Sequence, residues 1–103
     1  MIVEYIRYTI SEDTAAAFLD AYERASHVLD ADSHCLGYEF TQGVEDPTHF
    51  VVRIEWDSID GHENGFRQSA GFADFFAAVR PYFSSIDEMS HFDVRKDALR
   101  HEH

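Results

Sequence analysis

Residues 2 to 10 run Ile2-Val3-Glu4-Tyr5-Ile6-Arg7-Tyr8-Thr9-Ile10, rich in β-branched and aromatic types with neither Gly nor Pro, and this predicts a strand. Side chains alternate along a strand, so Ile2, Glu4, Ile6 and Tyr8 share one face and Val3, Tyr5, Arg7 and Thr9 the other. Neither face is cleanly polar. Ser11 offers an oxygen to the free amides of a helix start, and Glu12 and Asp13 place negative charge at its positive dipole end. A first helix is predicted from Thr14 to about Leu29, because Ala15, Phe18, Leu19, Tyr22, Ala25 and Leu29 recur at steps of three and four while Asp20, Glu23 and Arg24 fall opposite.

Asp30 to Ser33 closes that helix, and Cys35 to Thr41 alternates Leu36, Tyr38 and Phe40 against Cys35, Gly37, Glu39 and Thr41, the pattern of a second strand. Gly43 to Thr48 gathers Gly, Asp and Pro into a turn. Beyond it Phe50, Val52, Ile54 and Trp56 face one way and Val51, Arg53, Glu55 and Asp57 the other, completing a hairpin. Ser58 is a second N-cap, opening a short helix in which Ile59, His62 and Phe66 share a side. Gly65 and Gly71 bracket a bend. A third helix, about Ala70 to Arg80, aligns Phe72, Phe75, Phe76 and Val79 and stops before Pro81, which has no amide proton. A last strand follows from about Ile86 to Val94.

The order β-α-β-β-α-β is the α+β, ferredoxin-like plan, a four-stranded antiparallel sheet with helices on one face. The other face still carries Val3, Tyr5, Gly37 and Val51 among its charges, too much apolar area to leave wet. A homodimer is therefore expected, the two sheets packed face to face with Arg7, Arg53, Glu39 and Glu55 between strands or at the interface.

At 103 residues the chain has room for one core, assigned to residues 1–94, and the polar, aperiodic stretch from Arg95 to His103 is read as a loose tail. Twenty acids against eight bases give a net charge of −12, so nucleic acid and anionic membrane surfaces are not expected partners. No uncharged run is long enough to span a membrane, and Met1 to Glu4 lacks the order of a signal peptide, which places the protein in the cytoplasm as an expectation. The single cysteine, Cys35, cannot form an internal disulfide and has no adjacent base, so it reads as a small apolar group.

Among polar residues, His62 stands out because it falls on the apolar stripe between Ile59 and Phe66. A buried, neutral imidazole suits a general base or a ligand-orienting group; it suits equally a core histidine bonded to a backbone carbonyl. Trp56, at the end of the apolar face of the third strand, is either core or the wall of a cavity for a flat ligand. Arg67, beside Phe66, and Arg7, mid-strand, either bind an anionic or phenolic oxygen or form ion pairs. Metal is not expected: His62-Glu63 lacks a second histidine four residues on, and His101-Glu102-His103 sits in the tail. No phosphate loop or nucleophile elbow is present.

The stretch Arg53-Ile54-Glu55-Trp56-Asp57-Ser58, then Gly61-His62, Gly65-Phe66-Arg67-Gln68-Ser69, Phe72, Phe75-Phe76, Val79, Pro81-Tyr82, Ile86, Glu88-Met89 and His91-Phe92, resembles the antibiotic biosynthesis monooxygenase family. The resemblance covers nearly the whole chain to about Val94 and implies a ferredoxin-like fold assembled as a dimeric α/β barrel. It also implies cofactor-independent oxygenation of a quinol or polyphenol, with His62 as base and Arg67 or Arg7 stabilising the phenolate. Tyr22, Trp56, Phe66, Phe72 and Phe76 would hold the planar substrate. A haem-degrading branch shares Trp56, but its haem-side tryptophan falls near Gly65 and its iron ligand near Phe75 or Phe76. The remaining alternatives are a non-enzymatic dimer that binds a small ligand or partner, and a haem-binding protein.

Overall fold

The computed structural model describes residues 1–98. Strands β1 (Ile2–Thr9), β2 (Cys35–Gln42), β3 (His49–Trp56) and β4 (Ile86–Asp93) form one antiparallel sheet in the order β2-β3-β1-β4. Helices α1 (Ala15–Ala31) and α2 (Phe72–Val79) lie side by side over one face of it. This is the ferredoxin-like plan expected from the hydrophobic pattern. Ile6, Tyr8, Val52, Ile54 and Trp56 rise from the sheet to meet Phe18, Tyr22 and Leu29 of α1 and Phe75 and Val79 of α2. Each large apolar side chain buried there stabilises the fold by about 1.5–3 kcal/mol.

Several local expectations are corrected. Ser11 caps no amide; its hydroxyl pairs with that of Thr14 at 2.9 Å, and a 3₁₀ turn over Glu12–Thr14 precedes α1. Leu19 is 42% exposed, because the buried stripe of Phe18, Tyr22, Ala25 and Leu29 leaves it about a quarter-turn off the core. On β2 the pairing slips between Cys35 and Gly37, so Cys35 and Tyr38 both pack on the core while Leu36 points out. The short helix after Ser58 is wound wide, a π turn over Gly61–Gly65 followed by a 3₁₀ turn over Phe66–Gln68, and this leaves Ile59 exposed while His62 and Phe66 go in. Helix α2 starts at Phe72 rather than Ala70, and beyond Val79 the chain tightens into a 3₁₀ turn over Arg80–Ser85 with Pro81 near its start.

On the face away from the helices, Val3 is already buried within one chain, Tyr5, Val51, Arg53 and Glu55 are half-buried, and Arg7 and Phe92 are exposed. Val94 donates its amide to the Met1 carbonyl at 3.1 Å, and residues 95–97 border a hollow on this face with Tyr5 and Phe92. His101, Glu102 and His103, and with them the end of the expected tail, lie outside the described residues. Among the described residues no helix is long and apolar enough to cross a membrane.

Candidate functional site

The turn after β3 aims His62 inward. Ser58 Oγ accepts the Gly61 amide at 2.8 Å, the cap expected of it, and His34 Nδ1 pairs with Asp57 Oδ2 at 2.9 Å alongside the turn. The His34 ring lies against the glycines: a Cβ at Gly65 would stand 2.4 Å from its Cδ2, and one at Gly61 would stand 2.0 Å from Asp57 Oδ1. Glycine at both positions lets the π turn sit against the sheet edge. Single π turns of this kind recur at functional sites.

His62 is only 3% exposed, and its ring stacks on the Trp56 indole with centroids 4.4 Å apart and planes 15° from parallel. Its side chain meets another histidine rather than a backbone carbonyl: His62 Nδ1 and His91 Nε2 are 3.0 Å apart, one donating and the other accepting. Glu4 completes the group. Its carboxylate accepts the Trp56 indole N–H at 3.1 Å, with His62 Nε2 and His91 Nε2 each 3.6 Å from an oxygen. Sheet register explains the meeting, since Glu4 is paired directly with His91 on one side and with Ile54, two residues from Trp56, on the other.

Burial dominates the electrostatics of this cluster. It pushes the His62 imidazole down to about 4, helped by the positive charge of Arg67 and by His91, so His62 is neutral at pH 7. Burial also raises the Glu4 carboxyl, against the lowering effects of the Trp56 N–H, His91 and Arg67. Tyr8 and Tyr22, hydroxyl to hydroxyl at the other end, are raised by burial, Tyr8 to about 12 and Tyr22 further. Both phenols keep their protons.

Between these ends lies a cavity of about 450 Å³. Glu4, His62, Tyr8 and Tyr22 supply its polar points; Trp56, Phe66, Phe72, Phe75 and Phe76 supply flat apolar wall. Arg67, exposed to solvent, stands at its edge. The volume and lining are those of a small-molecule site, largely apolar with few convergent polar groups. Trp56 is thus both core and wall.

Of the residues singled out from the sequence, the structure brings His62, Arg67, Trp56, Phe66, Tyr22, Phe72 and Phe76 around this one cavity. Arg7 is the correction. It lies on the odd-numbered face of β1, donates to Glu88 Oε1 at 3.1 Å and covers the Tyr5 ring, with the sheet between it and the cavity. Glu4 and His91 are the residues that sequence reasoning missed as site members. A carboxylate at the centre of the apolar face Ile2-Glu4-Ile6-Tyr8 was the available signal for the first.

Trp56 is the chain's single tryptophan, so its fluorescence reports on His62 directly. An imidazolium stacked on an excited indole accepts an electron and quenches it. Quenching on acidification is expected with a midpoint near 4, not near the ordinary ~6.5 of histidine, and to vanish in His62→Gln. In stability the sign follows: below pH ~6.5 the unfolded chain takes up this proton before the folded one, so His62 withdraws stability as pH falls, while Glu4, raised on folding, acts oppositely.

The sequence model of the antibiotic biosynthesis monooxygenase family matches residues 1–78. The chain is 21% identical over 92 residues to YczJ, an uncharacterised protein of Bacillus subtilis, covering 89% of this chain and 97% of YczJ. Among solved structures it is similar to SnoaB, a cofactor-independent oxygenase from Streptomyces nogalater, with a TM-score of 0.77, 15% identity and coverage of 96% and 97% of the two chains. Rv0793 from Mycobacterium tuberculosis superposes with a TM-score of 0.75 at 11% identity, over 94% and 97% of the respective chains. At these identities the structural likeness speaks for the fold alone.

Proposed function

This chain belongs to the antibiotic biosynthesis monooxygenase family, and from that premise we propose that it is a cofactor-independent monooxygenase oxidising a small electron-rich aromatic, a quinol or polyphenol, with O₂. The observation that supports this reading is an aromatic-walled cavity of about 450 Å³ that ends on a buried, neutral imidazole. Triplet oxygen reacts slowly with closed-shell molecules. The substrate must first become an anion able to give up an electron, so the protein's task is to remove a phenolic proton whose pKa in water is about 10.

His62 is the acceptor in this proposal. Its low basicity alone would make the transfer uphill, and the phenolate formed beside it offsets this, since an opposite charge within a few ångströms favours the imidazolium. The Glu4 carboxylate at 3.6 Å adds to that effect, and His91, partly exposed, offers a route for the proton to solvent. Arg67 at the cavity edge stabilises the phenolate oxygen, and the aromatic wall orients the ring and excludes water. SnoaB, a cofactor-independent oxygenase, has the same fold, so oxygen chemistry without a cofactor is compatible with this architecture.

Oxygen-electrode measurement over a panel of quinols, with no added flavin or metal, tests the reading. Substrate-dependent uptake supports it. Saturable quenching of Trp56 with no uptake would instead establish a ligand-binding protein, the reading favoured by the weak basicity of His62.

The assembly belongs to the same proposal. A second copy placed on the outer sheet face would cover Tyr5, Val51 and the half-exposed Phe92. Light scattering at micromolar concentration should then give twice the chain mass, and Phe92→Asp should shift it to monomer; a wild-type monomer defeats the homodimer.

A further inference from the structure

Glu4 on β1, His91 on β4 and His62 on the π turn each present a ligand atom within 4.8 Å of the others. We propose that these three side chains bind a divalent first-row transition ion of the zinc or cobalt kind. Two imidazoles and a carboxylate suit such ions, and three protein donors with one open position is the usual form of a reactive or exchangeable site.

The spacing gathers the three donors near one point. His91 Nε2 stands 3.0 Å from His62 Nδ1 and 3.6 Å from Glu4 Oε2, and His62 Nε2 stands 3.6 Å from Glu4 Oε1. Both carboxylate distances exceed hydrogen-bond length, so a shared proton does not tie Glu4 to the imidazoles. Bonds of about 2.1 Å in tetrahedral arrangement separate neighbouring ligand atoms by about 3.4 Å; with one ligand atom from each residue the three donors lie within 4.8 Å of one another, so small side-chain rotations bring them onto one ion.

The surroundings supply what a site of this type needs. Glu4 and His62 are each 3% exposed, and a carboxylate so buried requires compensation. The Trp56 indole N–H holds Glu4 Oε1 and leaves Oε2 turned to His91, the outer-sphere support that fixes a ligating carboxylate. His91, with about a quarter of its side chain exposed, gives ions access from solvent, and Glu4 and His62 border the cavity, where the open position would lie. A net charge of −12 concentrates cations near the molecule; Arg67 at the edge is the opposing charge.

An ion here takes a lone pair that proton transfer by His62 needs, so metal binding and base action exclude each other. Binding itself does not depend on the proposed activity and is tested without substrate. The full chain, stripped with chelator, is titrated with Co²⁺ and Zn²⁺ by calorimetry, with visible absorption of the Co²⁺ form as coordination readout. One ion per chain is expected, with intense bands of four-coordinate cobalt. Glu4→Gln and His91→Ala, each shown folded by circular dichroism, should weaken binding at least tenfold, while the double variant His101→Ala/His103→Ala should bind as wild type. Absence of binding, binding as tight as wild type in either the Glu4→Gln or the His91→Ala chain, or loss on changing only His101 and His103 would overturn the proposal.

Discussion

Replacing His62 with Ala is expected to cut oxygen uptake on an accepted quinol by about 10²–10⁴-fold, the contribution of a positioned acid–base group, with the far-UV spectrum unchanged. His62 is the nitrogen base that borders the cavity, its ring is held against Trp56, and it is neutral at working pH. Ala removes the acceptor and leaves the wall in place. The conservative His62→Gln keeps a polar group of similar reach but cannot take a full proton, so it should be nearly as inactive while still quenching Trp56 on substrate binding. Undiminished uptake in either variant would remove His62 from proton transfer and leave Glu4 as the remaining buried acceptor.

Trp56→Ala should destabilise the fold more than any other single change considered. Trp56 is fully buried, and truncating a buried aromatic residue to Ala costs about 3–5 kcal/mol. Its indole is also the hydrogen-bond donor to Glu4, and an orphaned buried acceptor adds about 1–3 kcal/mol, more for a charged one. Against a total of about 5–15 kcal/mol for a domain, the sum approaches complete unfolding. Urea denaturation followed by circular dichroism measures it. Trp56→Phe separates the two causes, since it retains most of the ring but not the N–H, and should cost about 1–3 kcal/mol with the folded spectrum kept. A Phe variant as stable as wild type would show that Glu4 finds another donor. The two costs need not add, because ring and carboxylate are in contact.

The arginine and histidine assignments show where a sequence pattern stops informing. The mixed faces of β1 make Arg7 a candidate anion binder in the sequence, yet strand parity sets it opposite Ile6 and Tyr8; only packing tells which parity faces the cavity. His91 was hidden by an irregularity. Strict alternation from Ile86 would put Ile86, Glu88, Ser90 and Phe92 on one face and His91 on the other. The pairing of β1 with β4 shifts between Arg7 and Tyr8, so that Tyr8 meets Ile86 while Ile6 meets Met89 and Glu4 meets His91, all on the cavity side. Phe92 is turned out against Tyr5 as a result. A bulge of this kind depends on two strands at once and leaves no mark in either alone.

Local chemistry, written in the order of residues, determined the elements, the ferredoxin-like plan and most of the cavity wall, because period-2 and period-3.6 burial are properties of a single segment and the aromatic stripes can face only inward. The Glu4–His62–His91 group was decided by tertiary structure, since its members lie on strands and a turn far apart in the chain and meet through cross-strand register, a bulge and a π turn wound between two glycines. Whether the phenylalanines fill their interior or line a space was decided there too: the volume left over is a small difference between the spacing of α2 above the sheet and the bulk of the side chains between them, a quantity no individual segment carries.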